Sequence, residues 1–334
     1  MNDLPILQDE LQNITATNFE AIALKIFQAQ YLHNELYKNY CNILKIIPSN
    51  ILRLEQIPFL PIQFFKTKKI TTTLFDEEVI FESSGTTGSV NSKHYVKDKA
   101  LYTESYIDGF KKFYGNVDDN CIIGLLPSYL ERQHSSLVYM VNDLIKKSKH
   151  KNSGFYLYDY EKLKQVLIEN ENAKQKTILI GVTYALLDFA EQFPTKLQHT
   201  IVMETGGMKG RRAELTRNEV HEILTANFGI QNIHSEYGMT ELLSQAYSTG
   251  KGIFACSNTM KILLRSEDNP LEILQNQHKA FITGAVNVVD LSNLYSCSFI
   301  ATDDAGKLYN DGNFEILGRL ENSDIRGCGL MITD

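Results

Sequence analysis

Thr177-Ile178-Leu179-Ile180-Gly181-Val182 is an apolar run without a charged residue, and a helical stretch from Tyr184 to Phe193 follows it at once. Ile201-Val202-Met203-Glu204-Thr205 then repeats the arrangement. It ends at Gly206-Gly207 and leads to a predicted helix from Leu215 to Phe228, with Thr216 as its cap. Upstream, Cys121-Ile122-Ile123-Gly124-Leu125-Leu126 precedes a helical segment from Ser136 to Ile145. Short, continuous apolar runs suit strands covered on both faces. Strand and helix in alternation predict an α/β fold with a largely parallel sheet.

Outward from this centre the pattern changes. In residues 4–47, Leu11, Ile14, Phe19, Ile22, Ala23, Ile26, Phe27 and Tyr31 recur near the helical period, with Thr17 or Asn18 able to cap the second helix. Pro48, Pro58 and Pro61 mark the next segment. Val79-Ile80-Phe81 and His94-Tyr95-Val96 read as the arms of a hairpin, and Leu101–Phe113 as a helix. A short strand is predicted over Ile230–Ile233. After about residue 250 the chain turns β-rich, with strands predicted at 253–255, 261–264, 279–283 and 314–317. Asp311-Gly312 is a hairpin turn signal.

The chain has 334 residues, 43% hydrophobic and 22% charged, with 33 Lys+Arg against 40 Asp+Glu and a net charge of −7. That length fits about two domains or one large one. An acidic chain without a basic block is a poor partner for nucleic acid or anionic membrane. The longest apolar stretch, Ile178–Ala190, is interrupted by Gly181, Thr183 and Asp188 and is too short to span a bilayer. The eight His and five Cys show no zinc spacing. An odd Cys count and an N-terminus without a basic start and apolar run predict a reduced, cytoplasmic protein.

Three segments carry chemistry. Ser83-Ser84-Gly85-Thr86-Thr87-Gly88-Ser89 offers hydroxyls and glycine-freed N–H groups to an anion, although it fits neither a P-loop nor a GxGxxG pattern and a surface turn has the same composition. In Tyr237-Gly238-Met239-Thr240-Glu241, Tyr237 can stack on a base, Thr240 can touch phosphate, and Glu241 offers one hard oxygen to Mg²⁺. A loop that ends in a helix cap is the structural alternative. Thr302-Asp303-Asp304, read as a strand end and followed by Gly318-Arg319, has carboxylates suited to ribose hydroxyls. His134 could line an apolar pocket or stand in solvent at a helix start. A Ser-His hydrolase is disfavoured because no GxSxG elbow is present.

In this order the three segments resemble the signature set of the adenylate-forming superfamily, over about residues 60–328. Within it the chain looks most like the LuxE-type acyl-protein synthetases, the fatty-acid–protein ligases. Pro61-Ile62-Gln63-Phe64-Phe65-Lys66, Pro127-Ser128-Tyr129-Leu130-Glu131-Arg132 and Ser323-Asp324-Ile325-Arg326-Gly327-Cys328 are similar to that group. The resemblance implies an adenylate-forming large domain with mixed sheets flanked by helices, a β-rich C-terminal part and no C-terminal lid, since fifteen residues follow Arg319. The implied division is an N-terminal helical region over 1–60, a core over 61–318, and a hinge remnant with tail over 319–334.

The resemblance also implies ATP and Mg²⁺. Ser83, Ser84, Gly85, Thr86, Thr87 and Gly88 would hold the β- and γ-phosphates, Gly206 and Gly207 would lie along the adenine, and Tyr237 would stack on it. Thr240 would touch the α-phosphate, Glu241 would bind the metal, Asp304 the ribose, and Arg319 would contribute at the hinge. Lys93, Lys209 or Arg211 could stand in for the absent lid lysine. Cys328, between Gly327 and Gly329, would receive the acyl group from a fatty acid before an acyl reductase or an acyl carrier protein takes it. An acyl- or aryl-CoA ligase and a non-catalytic nucleotide-binding subunit of a reductase complex are the alternatives.

Overall fold

In the computed structural model, described over residues 4–83, 90–128, 130–206, 212–213, 215–275 and 279–320, the elements follow in chain order. They are α1 (Leu4–Leu11), α2 (Phe19–His33), α3 (Glu35–Ile43), β1 (Leu60–Pro61), α4 (Phe64–Thr67), β2 (Val79–Glu82), β3 (Lys93–Val96), α5 (Lys99–Tyr114), β4 (Cys121–Leu125), α6 (Ser136–Ser148), β5 (Gly154–Phe155) and α7 (Tyr160–Asn172). Then come β6 (Thr177–Val182), α8 (Thr183–Gln192), β7 (Thr200–Thr205), α9 (Arg217–Phe228), β8 (His234–Tyr237), β9 (Ala246–Ser248), β10 (Phe254–Cys256), β11 (Met260–Arg265), β12 (Phe281–Asp290), β13 (Phe299–Tyr309) and β14 (Phe314–Arg319). The chain divides into two compact units. One takes Met1–Gly109, Gly238–Gln245 and Ala255–Leu320, and the other takes Phe110–Tyr237 with Ala246–Phe254.

The second unit holds the parallel strands. The order β5-β4-β6-β7-β8-β9 is parallel except for β9, which runs antiparallel to β8. Every residue of β4 and β6 is buried, as the unbroken apolar runs require. Helix α8 starts directly after β6 and buries Thr183–Leu187, Phe189 and Ala190. Gly181 permits that approach, because a Cβ there would meet Leu186 Cγ at 2.8 Å. Thr216 caps α9: its side chain accepts from Glu219 N, and Glu219 returns a contact to the Thr216 N–H at 2.7 Å. Helix α7, which the sequence reading passed over, buries Leu163, Val166, Leu167 and Asn170 at helical spacing.

The first unit is antiparallel in the order β11-β12-β13-β14, with β1 parallel to β13. Its helical N-terminus is fastened to it by aromatic and polar contacts. Phe27, Tyr37 and Phe59 lie around the Phe299 ring at centroid distances of 6.1–6.4 Å. The buried Gln30 donates to Asn293 O at 3.0 Å and accepts from Ser298 N at 3.0 Å. Strands β2 and β3 form the expected hairpin, pairing Val79 with Val96 and Glu82 with Lys93. Gly312, at φ +84°, makes the turn into β14.

Four expectations need correction. Residues 230–233 are not a strand; β8 begins at His234, inside the segment His234–Glu241 itself, and no helix follows it among the described residues. Asn18 precedes α2 without capping it, because its side chain is engaged with Thr15 N and Asn13 O in the preceding turn. The strand predicted over 279–283 begins at Phe281 and runs to Asp290. Thr302-Asp303-Asp304 lies inside β13 rather than at a strand end.

Candidate functional site

The stretch from His234 to Glu241 is shared between the units. Its first four residues form β8, which lies parallel to β7 with Met203 opposite His234 and Glu204 opposite Ser235. Tyr237 ends the strand, with its ring 6.0 Å from Phe254 at 62°, and the Arg217 guanidinium sits 5.5 Å over the Phe254 ring. Two half-buried carboxyls, Glu204 and Glu236, belong to the same unit. Glu236 accepts from Thr205 Oγ1 at 2.6 Å. Burial, aided by the charge of Glu204, pushes its carboxyl up to about 7. Burial pushes Glu204 up too, but His221, Arg217 and Ser235 outweigh it and hold that carboxyl below its ordinary value. Gly206 closes β7 at φ +71°, and its carbonyl accepts from Thr183 Oγ1 at 3.2 Å.

Thr240 and Glu241 belong to the other unit, on a segment without helix or strand. The Thr240 carbonyl lies 2.9 Å from His94 Nδ1 on β3. Burial pulls His94 down to about 4, so the ring is neutral near pH 7 and the geometry assigns its proton to Nδ1. Glu241 is buried, and its carbonyl accepts from Asn293 Nδ2 at 2.7 Å.

Thr302-Asp303-Asp304 sits on a bulge. Between β12 and β13 the register passes from Ala285 opposite Ala305 to Asn287 opposite Ala301, so three residues face the single Val286. The buried Arg265 reaches this bulge, donating to Thr302 O at 2.6 Å and to Val286 O at 2.7 Å. Arg319 on β14 is paired with Asp304, and its guanidinium comes within 3.7 Å of Asp304 and 3.9 Å of Asp303. Asp303 also accepts from Gln63.

Of the residues singled out from sequence, Ser83 closes the hairpin, its Oγ accepting from Ser92 N at 2.9 Å. Lys93 pairs with Glu82 at 3.3 Å, and His134 is exposed. Ser84, Gly85, Thr86, Thr87, Gly88 and Ser89, with Tyr129, Gly207, Met208, Lys209, Arg211 and Cys328, lie outside the described residues. Cys41, Cys121 and Cys297 are buried and Cys256 is partly exposed. Among the described residues no helix is long and apolar enough to cross a membrane. Sequence reasoning missed His94, Arg265, Asp290 and Asn293. The one available signal was Asp290-Leu291-Ser292-Asn293, a polar turn composition directly after Val288-Val289.

The family model described as acyl-protein synthetase, LuxE, matches residues 8–334. A long-chain-fatty-acid–luciferin-component ligase of Aliivibrio fischeri is 23% identical over 348 residues, covering 94% of this chain and 88% of the relative. Among solved structures, an open conformation of 2-hydroxyisobutyryl-CoA ligase, with its acyl-AMP and CoA, superposes with a TM-score of 0.64 at 11% identity. It covers 93% of this chain and 77% of that one. The same enzyme in its thioesterification state gives 0.65 at 13% identity, over 94% and 71%. At such identity the likeness is one of fold, and it is the adenylate-forming α/β architecture expected from the sequence. With helices flanking parallel and antiparallel strands and a family match over nearly its whole length, the chain belongs to the LuxE acyl-protein synthetase family.

Proposed function

We propose that the chain uses ATP to activate a fatty acid as its acyl-adenylate and passes the acyl group to a protein cysteine thiol. Membership of a ligase family supports acyl activation, and the name of the Aliivibrio fischeri relative supports a long-chain acid. The observation that carries the reading is the anchoring of Gly238–Gln245. Buried donors hold the carbonyls of Thr240 and Glu241, so the two side chains assigned to phosphate and metal rise from a fixed backbone.

The donor set fits a nucleotide-bound Mg²⁺. Among the described residues no cluster of three ligating side chains gathers, and Mg²⁺ commonly takes one or two carboxylates, with phosphate oxygens and water as its other ligands. Glu241 supplies the carboxylate. The metal, when bound, neutralises charge on the phosphates. A fatty carboxylate oxygen bonds to the α-phosphorus and the bond to pyrophosphate breaks. Thr240 donates to the α-phosphate as negative charge grows there, and Ser83 to Gly88 hold the departing phosphates. Individual donors of this kind lower the barrier by on the order of 3 kcal/mol. Tyr237 and the Gly206-Gly207 backbone hold the adenine, while Asp304, set by Arg319, accepts from ribose hydroxyls. The thiolate of Cys328 then attacks the acyl carbonyl, AMP departs, and a thioester remains. In this reading residues 61–318 form the adenylating core and the tail carries the acyl group.

The test is pyrophosphate release with ATP, Mg²⁺ and a panel of carboxylic acids, followed by identification of what carries the acyl group. Release with long-chain acids and label on protein supports the reading. A free acyl-CoA product would make the chain a CoA ligase, and no release with any acid would leave a nucleotide-binding subunit.

A further inference from the structure

Gly238–Gln245 has no regular structure, yet it is buried from Glu241 onward. Such backbone must find partners for its N–H and C=O groups. Asp290, the last residue of β12, supplies them. Its Oδ2 accepts from Leu243 N at 2.7 Å and Ser244 N at 3.0 Å. Its Oδ1 accepts from Ser244 Oγ at 2.6 Å and Ser292 N at 3.1 Å. Burial pushes the Asp290 carboxyl up from its ordinary range, and the three backbone donations and the one from the Ser244 hydroxyl work against that rise by favouring the carboxylate. Asn293, whose N–H donates to Asp290 O at 3.1 Å, reaches Glu241 O. One short stretch, 290–293, therefore grips the segment at residues 241, 243 and 244. Buried charge is weak evidence of a stabilising role, since apolar replacement of a buried ion pair is often neutral or stabilising. The four donors to Asp290 point to definition of a backbone course rather than to bulk stability.

We propose that Asp290, with Asn293, is a positioning residue that fixes the course of Gly238–Gln245, so that Thr240 and Glu241 keep one conformation through adenylation. The proposal rests on the roles assigned above to those two residues. Asp290→Asn keeps the shape but turns one acceptor into a donor facing donors. Ser244→Ala removes one donation and leaves the rest. Both are read in the full chain by amide hydrogen exchange over 238–245 and by steady-state pyrophosphate release.

In Asp290→Asn the Leu243 and Ser244 amides should exchange at least about tenfold faster. kcat should fall at least about tenfold, with the fatty-acid KM within about twofold and the Mg²⁺ requirement raised. Ser244→Ala should move each quantity the same way by less. A role in stability alone would lower Tm and leave kcat per folded molecule and the Mg²⁺ dependence unchanged, and that result in folded Asp290→Asn overturns the proposal. If Asp290→Asn does not fold, wild-type exchange and kcat in Ser244→Ala overturn it. If the wild type releases no pyrophosphate with any acid, the adenylation reading fails separately. Unchanged exchange in Asp290→Asn would then still overturn the grip on the segment.

Discussion

Asp304 stands opposite Arg319 in the β13–β14 ladder, with Arg319 Nε 3.7 Å from Asp304 Oδ1. The same guanidinium lies 3.9 Å from Asp303, which Gln63 also engages. Asp304 is thus held by a partner directly across the ladder. Asp304→Ala should raise the KM for ATP at least about tenfold, about 1.4 kcal/mol, through lost ribose contacts. Asp303→Ala should raise it less than Asp304→Ala does. Initial-rate kinetics at varied ATP decide between them; greater sensitivity at Asp303 would move the Thr-x-Asp assignment by one residue.

Glu241→Gln keeps the size of the side chain and removes its charge. Adenylate formation should fall at least about tenfold, or about 1.4 kcal/mol of barrier. An unaltered rate of pyrophosphate release at limiting Mg²⁺ would remove Glu241 as the metal's ligand.

Tyr237→Ala should weaken ATP binding through lost stacking, an effect of about 1–3 kcal/mol for an aromatic–base contact. Tyr237→Phe should retain most of the affinity, since the ring rather than the hydroxyl makes the contact. Equal losses in both variants, measured by nucleotide titration, would count against stacking.

Cys328→Ser should abolish hydroxylamine-labile acyl label on the protein while pyrophosphate release continues. Label that persists in Cys328→Ser, or resists hydroxylamine in the parent, excludes a thioester at that residue.

Glu236 gives the fold a pH dependence. Its carboxyl titrates near 7 when folded and near 4.5 when unfolded. The unfolded chain therefore loses this proton first, and stability from this group falls as pH rises from about 4.5 to about 7. Glu236→Gln, which keeps the hydrogen bond from Thr205, should match the wild type near pH 4.5 and exceed it by up to about 3 kcal/mol at pH 8. Denaturant melts at the two pH values check this, and an equal gain at both would locate the effect in packing instead.

The strands β4, β6 and β7 were legible because burial on both faces leaves an apolar run that needs no alternation. The capping box at Thr216 and Glu219 was half visible, in that the cap was named and the helix start misjudged by two residues. Strand β13 was not legible. Thr302-Asp303-Asp304-Ala305-Gly306 shows no two-residue alternation, because the bulge opposite Val286 interrupts the pleat there. The motif residues Tyr237, Thr240, Glu241 and Asp304 stood out by their order along the chain. Their supports did not. His94 is 146 residues from Thr240, Asn293 is 52 from Glu241, and Arg265 is 37 from Thr302. Only the polar turn at 290–293 leaves a local trace, and no local pattern shows a partner that distant.

The separation of Gln30 from Ser298 by 268 residues also orders the birth of the protein. At about 5–20 residues per second, the ribosome leaves Gln30, Phe27 and Tyr37 without their C-terminal partners for roughly 13–54 s. The unit containing Phe110–Tyr237 has an almost continuous stretch of chain and can fold while that interval runs. The unit that carries Thr240, Glu241 and Asp304 must gather three separate segments, and it waits with apolar helix faces uncovered. Lesions around Ser296 and Ser298 should therefore appear first as poor soluble yield and dependence on chaperones, before any change in turnover by the molecules that fold.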